Sequence, residues 1–315
     1  MGFFASLINS MPSAVAQGLI WGIMAIGVYL TYRILDVADL TVDGSLGTGG
    51  AVCVVMVLNG VPVGLALLAA TAAGMLAGLV TGLFHTACGI PAILAGILTQ
   101  LALYSVNLRI MGFGTGGGKA NLPISVDKYS LLVSARYVRN VALNNPILIL
   151  AVFCAVLIAV LYWFFGTELG CSLRATGANQ NMARAQGINT NVTTVLGLMI
   201  SNGLVALAGG LLAQYQGFSD INMGRGAIVI GLAAVIIGEV IFSRIFRNFA
   251  LKLLSAVIGA IIYYIVMVFV LRLGLSTDDL KLLTALVVAL FLTIPYWKGK
   301  YFTKTSVKKG EKNHA

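Results

Sequence analysis

The stretch Glu168-Leu-Gly-Cys-Ser-Leu-Arg-Ala-Thr-Gly-Ala-Asn-Gln-Asn-Met-Ala-Arg-Ala-Gln-Gly-Ile188 decides how the rest of this chain is read. It is an island of small and polar residues with two arginines, set between apolar runs, and it carries its own helix punctuation. Gly177 is placed to close one short helix in the left-handed conformation, and Asn179 to accept from the free amides that begin the next. Gly187 then stops the second helix, with Ile188 as the apolar residue that follows a glycine stop. The spacing predicts two short helices lying against a membrane face. Reversing the chain takes only a few residues, so a segment of this length is expected to make a contact.

The surroundings of that island must be a bilayer. Apolar residues make up 59% of the chain and charged residues 10%, with a mean hydropathy of +0.97, whereas soluble domains are about a quarter charged. Lys and Arg outnumber Asp and Glu by 20 to 10. The excess is concentrated in Lys298, Lys300, Lys304, Lys308, Lys309 and Lys312, a basic tail (298–315) of the kind that stays on the cytoplasmic side. No basic stripe alternates with aromatics elsewhere, so membrane lipid is the expected surrounding and nucleic acid is not a partner. Cys53, Cys88, Cys154 and Cys171 lie far apart, and neither a disulfide framework nor a metal site is suggested.

Working outward from the island, Pro146 to Gly166 brings the chain in and Val192 to Gln214 takes it out again. Gly224 to Ile241, Leu253 to Leu271 (outward, past Asp278 and Asp279) and Leu282 to Tyr296 follow. Upstream lie Pro12 to Tyr32, a short apolar stretch ending near Asn59, Pro62 to Phe84 and Ile90 to Met111. The expected fold is an all-α membrane protein of about nine segments, some broken or re-entrant. Residues 1–297 form one transmembrane domain, with an outer loop at 112–145. The first eleven residues carry no charge and show no secretory leader. Arg33, the first basic residue, follows the first span, which places the N-terminus outside and the C-terminus inside. Arg174 with Arg184, Arg244 with Arg247, and the tail then share the inner side. In the outer loop Lys119, Lys128, Arg136 and Arg139 outnumber Asp127, against that rule.

Between the first two segments, Asp36-Val-Ala-Asp-Leu-Thr-Val-Asp-Gly-Ser-Leu-Gly-Thr-Gly-Gly-Ala51 combines three acids with a run of glycines. Such a stretch suits a helix broken inside the protein, where freed backbone groups line a cavity. Asp39-Leu-Thr-Val-Asp-Gly-Ser is echoed weakly by Asp220-Ile-Asn-Met-Gly-Arg-Gly, which predicts two pseudo-symmetric inverted halves with the substrate path at their junction. The candidate path residues are Asp39, Asp43, Ser45, Gln100, Asn107, Asp220 and Asn222, since polar groups within a membrane are costly. Gly74, Gly78 and Gly82 recur every fourth residue and predict a smooth helix face. Glu239 lies close enough to Arg244 to pair with it, or with a partner subunit. His85, alone at a turn, reads as structural.

No catalytic residue is assigned. Gly112-Phe-Gly-Thr-Gly-Gly-Gly-Lys-Ala120 fails the phosphate-loop spacing, because Phe113 stands where the first glycine belongs and Ala120 follows the lysine. With only two histidines and no Ser-His-Asp set, the chain holds no catalytic constellation, so energy must come from elsewhere.

The pattern Leu-Gly-x-x-Leu-Arg-Ala-x-Gly-x-Asn-x-x-x-Ala-x-x-x-Gly-Ile over 169–188 closely resembles the cytoplasmic coupling segment of ABC importer permeases of the branched-chain amino acid and ribose type. The Asp39 segment resembles the Asp-Leu-Ser-Val-Gly-Ser stretch of ribose-type permeases, from which Asp43 departs. The resemblance implies that the coupling segment (167–190) docks on an ATPase subunit through Glu168, Gly170, Arg174, Ala175, Gly177, Asn179, Ala183, Arg184, Gly187 and Ile188. ATP and Mg would sit on that partner, with no cofactor on this chain. An outer substrate-binding protein would deliver the solute, and the complex would lie in the bacterial inner membrane. A single permease grips one ATPase site, so a second permease copy, a homodimer, is expected. The apolar lining leans toward an amino acid, aromatic or branched-chain. A sugar or nucleoside importer stays open, and so does a stand-alone secondary transporter with Asp39, Asp43 or Asp220 as its ion site. The last would have no need of the hairpin at 168–188. The acids and glycines at the membrane edges disfavour a structural scaffold.

Overall fold

The computed structural model describes residues 3–272 apart from 115–116, 126–127, 130, 139–144, 243–244 and 247, together with 282, 284–291 and 293. Asp127, Arg139, Arg244, Arg247, Asp278, Asp279 and the lysine tail lie outside the described residues. Helix α1 (Phe3–Tyr29) ends in a π-helical turn, Leu30–Ile34, and is followed by α2 (Val42–Leu58), α3 (Val63–Thr86) and α4 (Ala92–Met111). Strand β1 (Asn121–Pro123) and α5 (Pro146–Phe165) lead to two short helices, α6 (Glu168–Ala178) and α7 (Gln180–Ala185). Then come α8 (Thr190–Gln216), β2 (Phe218–Asp220), α9 (Ala227–Phe242) and α10 (Phe249–Arg272).

Among the described residues, six helices are long and apolar enough to span a bilayer, and α2 and α9 are shorter apolar helices. The chain is therefore a mostly helical, multi-pass membrane protein. The expectation of a purely helical fold needs one correction: β1 and β2 pair antiparallel, with Asn121 opposite Asp220 and Pro123 opposite Phe218. The turn-rich loop after α4 satisfies its backbone groups against the chain leaving α8, which local sequence does not foretell.

Two helices form the centre. The apolar window of the first span is 89% buried and that of α8 78%, against 17% for α5, whose outer side is left for lipid. α1 and α8 run antiparallel: Ser13 and Tyr215 hydroxyls meet at 3.0 Å near one end, and Ser201 Oγ donates to Gly27 O at 2.7 Å further along. The predicted smooth face of α3 packs on α8, with Gly74 against Asn202, Gly78 against Leu198 and Gly82 against Val195. A Cβ on Gly78 would collide with the Leu198 carbonyl, so the two backbones approach more closely than side chains allow.

Helix directions fix the geometry of the two short helices. α2 runs parallel to α8, because Ser45 reaches Asn202 and Cys53 reaches Gln214. α9 runs parallel to α1, with Gly231 beside Met24 and Val28, and Glu239 beside Arg33. Since α1 and α8 are antiparallel, α2 and α9 point in opposite directions, and their N-termini meet at Asp43.

Candidate functional site

The break before α2 starts at the π-helical turn. Asp36 takes a positive φ of 54°, a conformation Asp tolerates better than most residues, and this turns the chain back into the protein. Asp39, 2% exposed, then accepts from the Thr41 amide at 2.9 Å and from Asn202 Nδ2 at 2.7 Å, while Ser45 Oγ donates to Asn202 Oδ1 at 2.6 Å. Thr41, Thr81 and Thr99 continue the chain of hydroxyl contacts across α2, α3 and α4 at 2.7 and 2.9 Å. Asp39 and Ser45, expected to line a path, thus lie in a sealed hydrogen-bonded network that fixes where α2 begins.

Asp43, one helical turn on, has a different setting. Its two carboxylate oxygens accept from the amides of Gly226 and Ile228, each at 2.9 Å, and so cap the N-terminus of α9 from within the first turn of α2. A negative charge there meets the positive ends of two helix dipoles. The departure from the ribose-type pattern at this position therefore carries a tertiary role. Gly226, at φ 84°, supplies the left-handed turn that aims its amide at the carboxylate.

Beside Asp43 lies a half-open cavity of about 410 Å³ lined by Gly44, Gln100, Leu101, Tyr104, Asn107, Ile221 and Arg225. Of the sequence-predicted path residues, Asp43, Gln100 and Asn107 line it. Asp220 and Asn222 stand next to its wall: Asp220 Oδ1 accepts from the Asn222 amide at 2.7 Å, and its other oxygen faces Asn121. Tyr104 and Arg225 were not foreseen. Arg225 is the basic residue of the second repeat copy, flanked by glycines in an apolar neighbourhood, and that placement was the available signal.

The polar island forms its two helices as expected, with one exception. Asn179 Oδ1 accepts from the Met182 amide at 3.0 Å, and Gly187, at φ 82°, ends α7 while Ile188 N bonds back to Ala183 O at 3.0 Å. Gly177 does not end α6, which continues to Ala178. It is a packing residue instead, because a Cβ there would strike the carbonyl of Ile34. Gly170 makes a similar approach to Phe164, Leu173 is buried, and Thr176 Oγ1 meets Thr193 Oγ1 at 2.8 Å. One face of α6 therefore rests on the root of the break at Ile34–Leu35 and on the start of α8.

Leu169 on α6 and Met182 on α7 are 58% and 63% exposed. Arg174 stands over the Phe249 ring, 5.8 Å from its centroid, and Arg184 Nε donates to Thr190 Oγ1 at 2.7 Å. Glu239 pairs with Arg33 through a two-pronged contact, joining the ends of α1 and α9, while Arg244, suggested by proximity in sequence beside a partner subunit, lies outside the described residues. His85 Nδ1 lies 2.9 Å from Ile90 O within the turn between α3 and α4, in keeping with a structural role.

The chain is similar to known proteins. The family model described as branched-chain amino acid transport system / permease component matches residues 10–294. The tyrosine transport system permease protein of Clostridioides difficile (strain R20291) is 41% identical over 284 residues, 90% of each chain. The ribose import permease protein RbsC of Escherichia coli (strain K12) is 27% identical over 73% of this chain and 69% of its own. Among solved structures, PsaBC from Streptococcus pneumoniae in complex with Fab superposes with a TM-score of 0.53 at 17% identity, covering 95% of this chain and 98% of that one, and shares the fold. Permeases of such systems work with separate ATPase and substrate-binding proteins. The chain belongs to the branched-chain amino acid transport system permease family and is the membrane subunit of an ATP-driven ABC importer, not itself an enzyme.

Proposed function

We propose that the chain conducts an amino acid, aromatic or branched-chain, across the bacterial cytoplasmic membrane as a homodimer of permeases. Each copy is gripped by one ATPase and fed by an outer binding protein. Six long helices, the two half-helices and the helical stretch at 284–291 make about nine membrane segments. Residues 1–297 act as one domain, with the N-terminus outside and the basic tail 298–315 inside. The opposed half-helices α2 and α9 are the cores of two inverted halves. ATP and Mg stay on the partner, and this chain binds no cofactor.

The observation that carries this reading is the seat of α6. The ATPase grips the hairpin at Glu168–Ile188, whose residues Ala175, Ala183, Arg184 and their neighbours keep its shape. Displacement of α6 presses on Ile34–Leu35, to which Gly177 is packed. From there it reaches the break at Asp39 and, through Asp43, the start of α9. Coupling is mechanical, and two discrete seatings of these elements open the path to one side or the other. The tyrosine permease relative favours an amino acid; the ribose permease relative keeps a sugar as the second reading.

The test is uptake of labelled L-tyrosine, L-leucine, ribose and a nucleoside into proteoliposomes holding the permease, its cognate ATPase and the binding protein. Amino-acid uptake that requires ATP and all three components is expected. Uptake driven by an ion gradient without the ATPase would overturn the coupling mechanism, and ATP-driven uptake of ribose or a nucleoside alone would overturn the substrate class.

A further inference from the structure

Asn107 is 2% exposed, its Nδ2 donates to Gly44 O at 3.4 Å, and its Oδ1 has no hydrogen-bond partner. The Gly44 carbonyl fixes this orientation, since a flipped amide would set two acceptors against each other. A buried acceptor left empty is costly, and this one borders the cavity at the meeting point of the two half-helices. A donor held at that wall would supply the missing partner. Arg225 lines the same cavity, is exposed, and makes no ion pair among the described residues. Asp43 lines it as well, and its carboxylate keeps free lone pairs after accepting two amides. One cation, one anion and one unfilled acceptor thus converge on a space of about 410 Å³, within the range of small-molecule sites.

Resting on the importer reading above, we infer that this cavity recognises the zwitterion of an α-amino acid. Arg225 takes the carboxylate in a forked contact, and Asn107 Oδ1 with Asp43 takes the ammonium. The side chain lies along Leu101, Tyr104 and Ile221, a wall that suits an apolar or aromatic group. A neutral sugar would leave both charges unanswered, and sites built around charged partners reject ligands that lack them. The ammonium would share Asp43 with the α9 N-terminus, so substrate would be felt by the half-helix that moves.

Binding is measured on the permease–ATPase complex in nanodiscs without the binding protein, using labelled L-tyrosine. Competitors are tyramine, which lacks the carboxylate, and 3-(4-hydroxyphenyl)propionate, which lacks the ammonium. The unaltered complex is expected to prefer tyrosine over both by at least about tenfold. Arg225→Gln should erase the preference over tyramine, Arg225→Lys should keep part of it, and Asn107→Leu should erase the preference over the propionate. Melting temperatures show that each variant is folded. Arg225→Gln and Asn107→Leu complexes that discriminate like the parent, or a parent that binds no amino acid at millimolar concentration, overturn the inference. If the parent nonetheless performs ATP-driven amino-acid uptake, the importer reading survives that failure; ATP-driven uptake of a sugar alone removes both.

Discussion

Asp39 and Asp43 stand one helical turn apart at the same break in the chain, and their surroundings differ in every respect that matters. Asp39 is enclosed by Thr41 and Asn202, with hydroxyls of α2, α3 and α4 nearby, and is only 2% exposed. Asp43 borders open space and holds the first amides of a helix that comes from the other half of the chain. The first acid determines where a helix starts; the second joins that start to a part that can move. In a membrane, where an unsatisfied polar group has no water to turn to, a carboxylate is retained only for one kind of duty or the other.

Substitution can break that contrast, and Asp39→Ala is expected to have the largest effect. It leaves the Thr41 amide and one Asn202 proton without acceptors, at about 1–3 kcal/mol for each buried group. The detergent-solubilised protein should melt several degrees lower and give poor yields. Gly78→Val tests the same sealed side by another route. Overpacking between α3 and α8 costs about 1–3 kcal/mol, and a melting point close to the parent's would contradict the close approach of Gly78 to Leu198.

The cavity side should respond differently. Asp43→Asn keeps one acceptor for the α9 amides but sets an NH2 group against the other, a lost cap worth about 0.5–2 kcal/mol. Stability should fall less than for Asp39→Ala, while ATP-driven uptake falls by tenfold or more; equal losses in both assays would remove the distinction between the two acids. The smallest effect is expected for Thr176→Val, which deletes the hydroxyl contact to Thr193 between α6 and α8, about 0.5–1.5 kcal/mol. Its signature is ATP hydrolysis that proceeds with less transport per ATP, at nearly unchanged melting temperature.

What the sequence made legible was local or periodic. Asn179, Gly187 and Ile188 act within a few residues of themselves, so their roles as cap and stop could be read directly from the order of residue types. Gly74, Gly78 and Gly82 were legible because a four-residue repeat maps onto one helix face. Gly177 misled for the opposite reason: it looks like a helix stop, but its constraint is the carbonyl of Ile34, more than a hundred residues earlier. Glu239 meets Arg33, about two hundred residues earlier, a contact that order in the sequence does not announce. Asp39 and Asp43 read alike as intramembrane acids, and only the convergence of α2, α8 and α9 separates them. Arg225 and Tyr104 became visible once β2 and α4 were brought to one cavity.

The claim on which coupling rests is that the polar hairpin at Glu168–Ile188 is the surface an ATPase grips. Hydrogen–deuterium exchange of the permease in nanodiscs, with and without its cognate ATPase, tests it most directly. Protection concentrated in residues 168–188, and reaching Ile34–Leu35 when ATP closes the ATPase pair, is the result expected. Protection that leaves 168–188 unchanged while appearing elsewhere on the chain would contradict it.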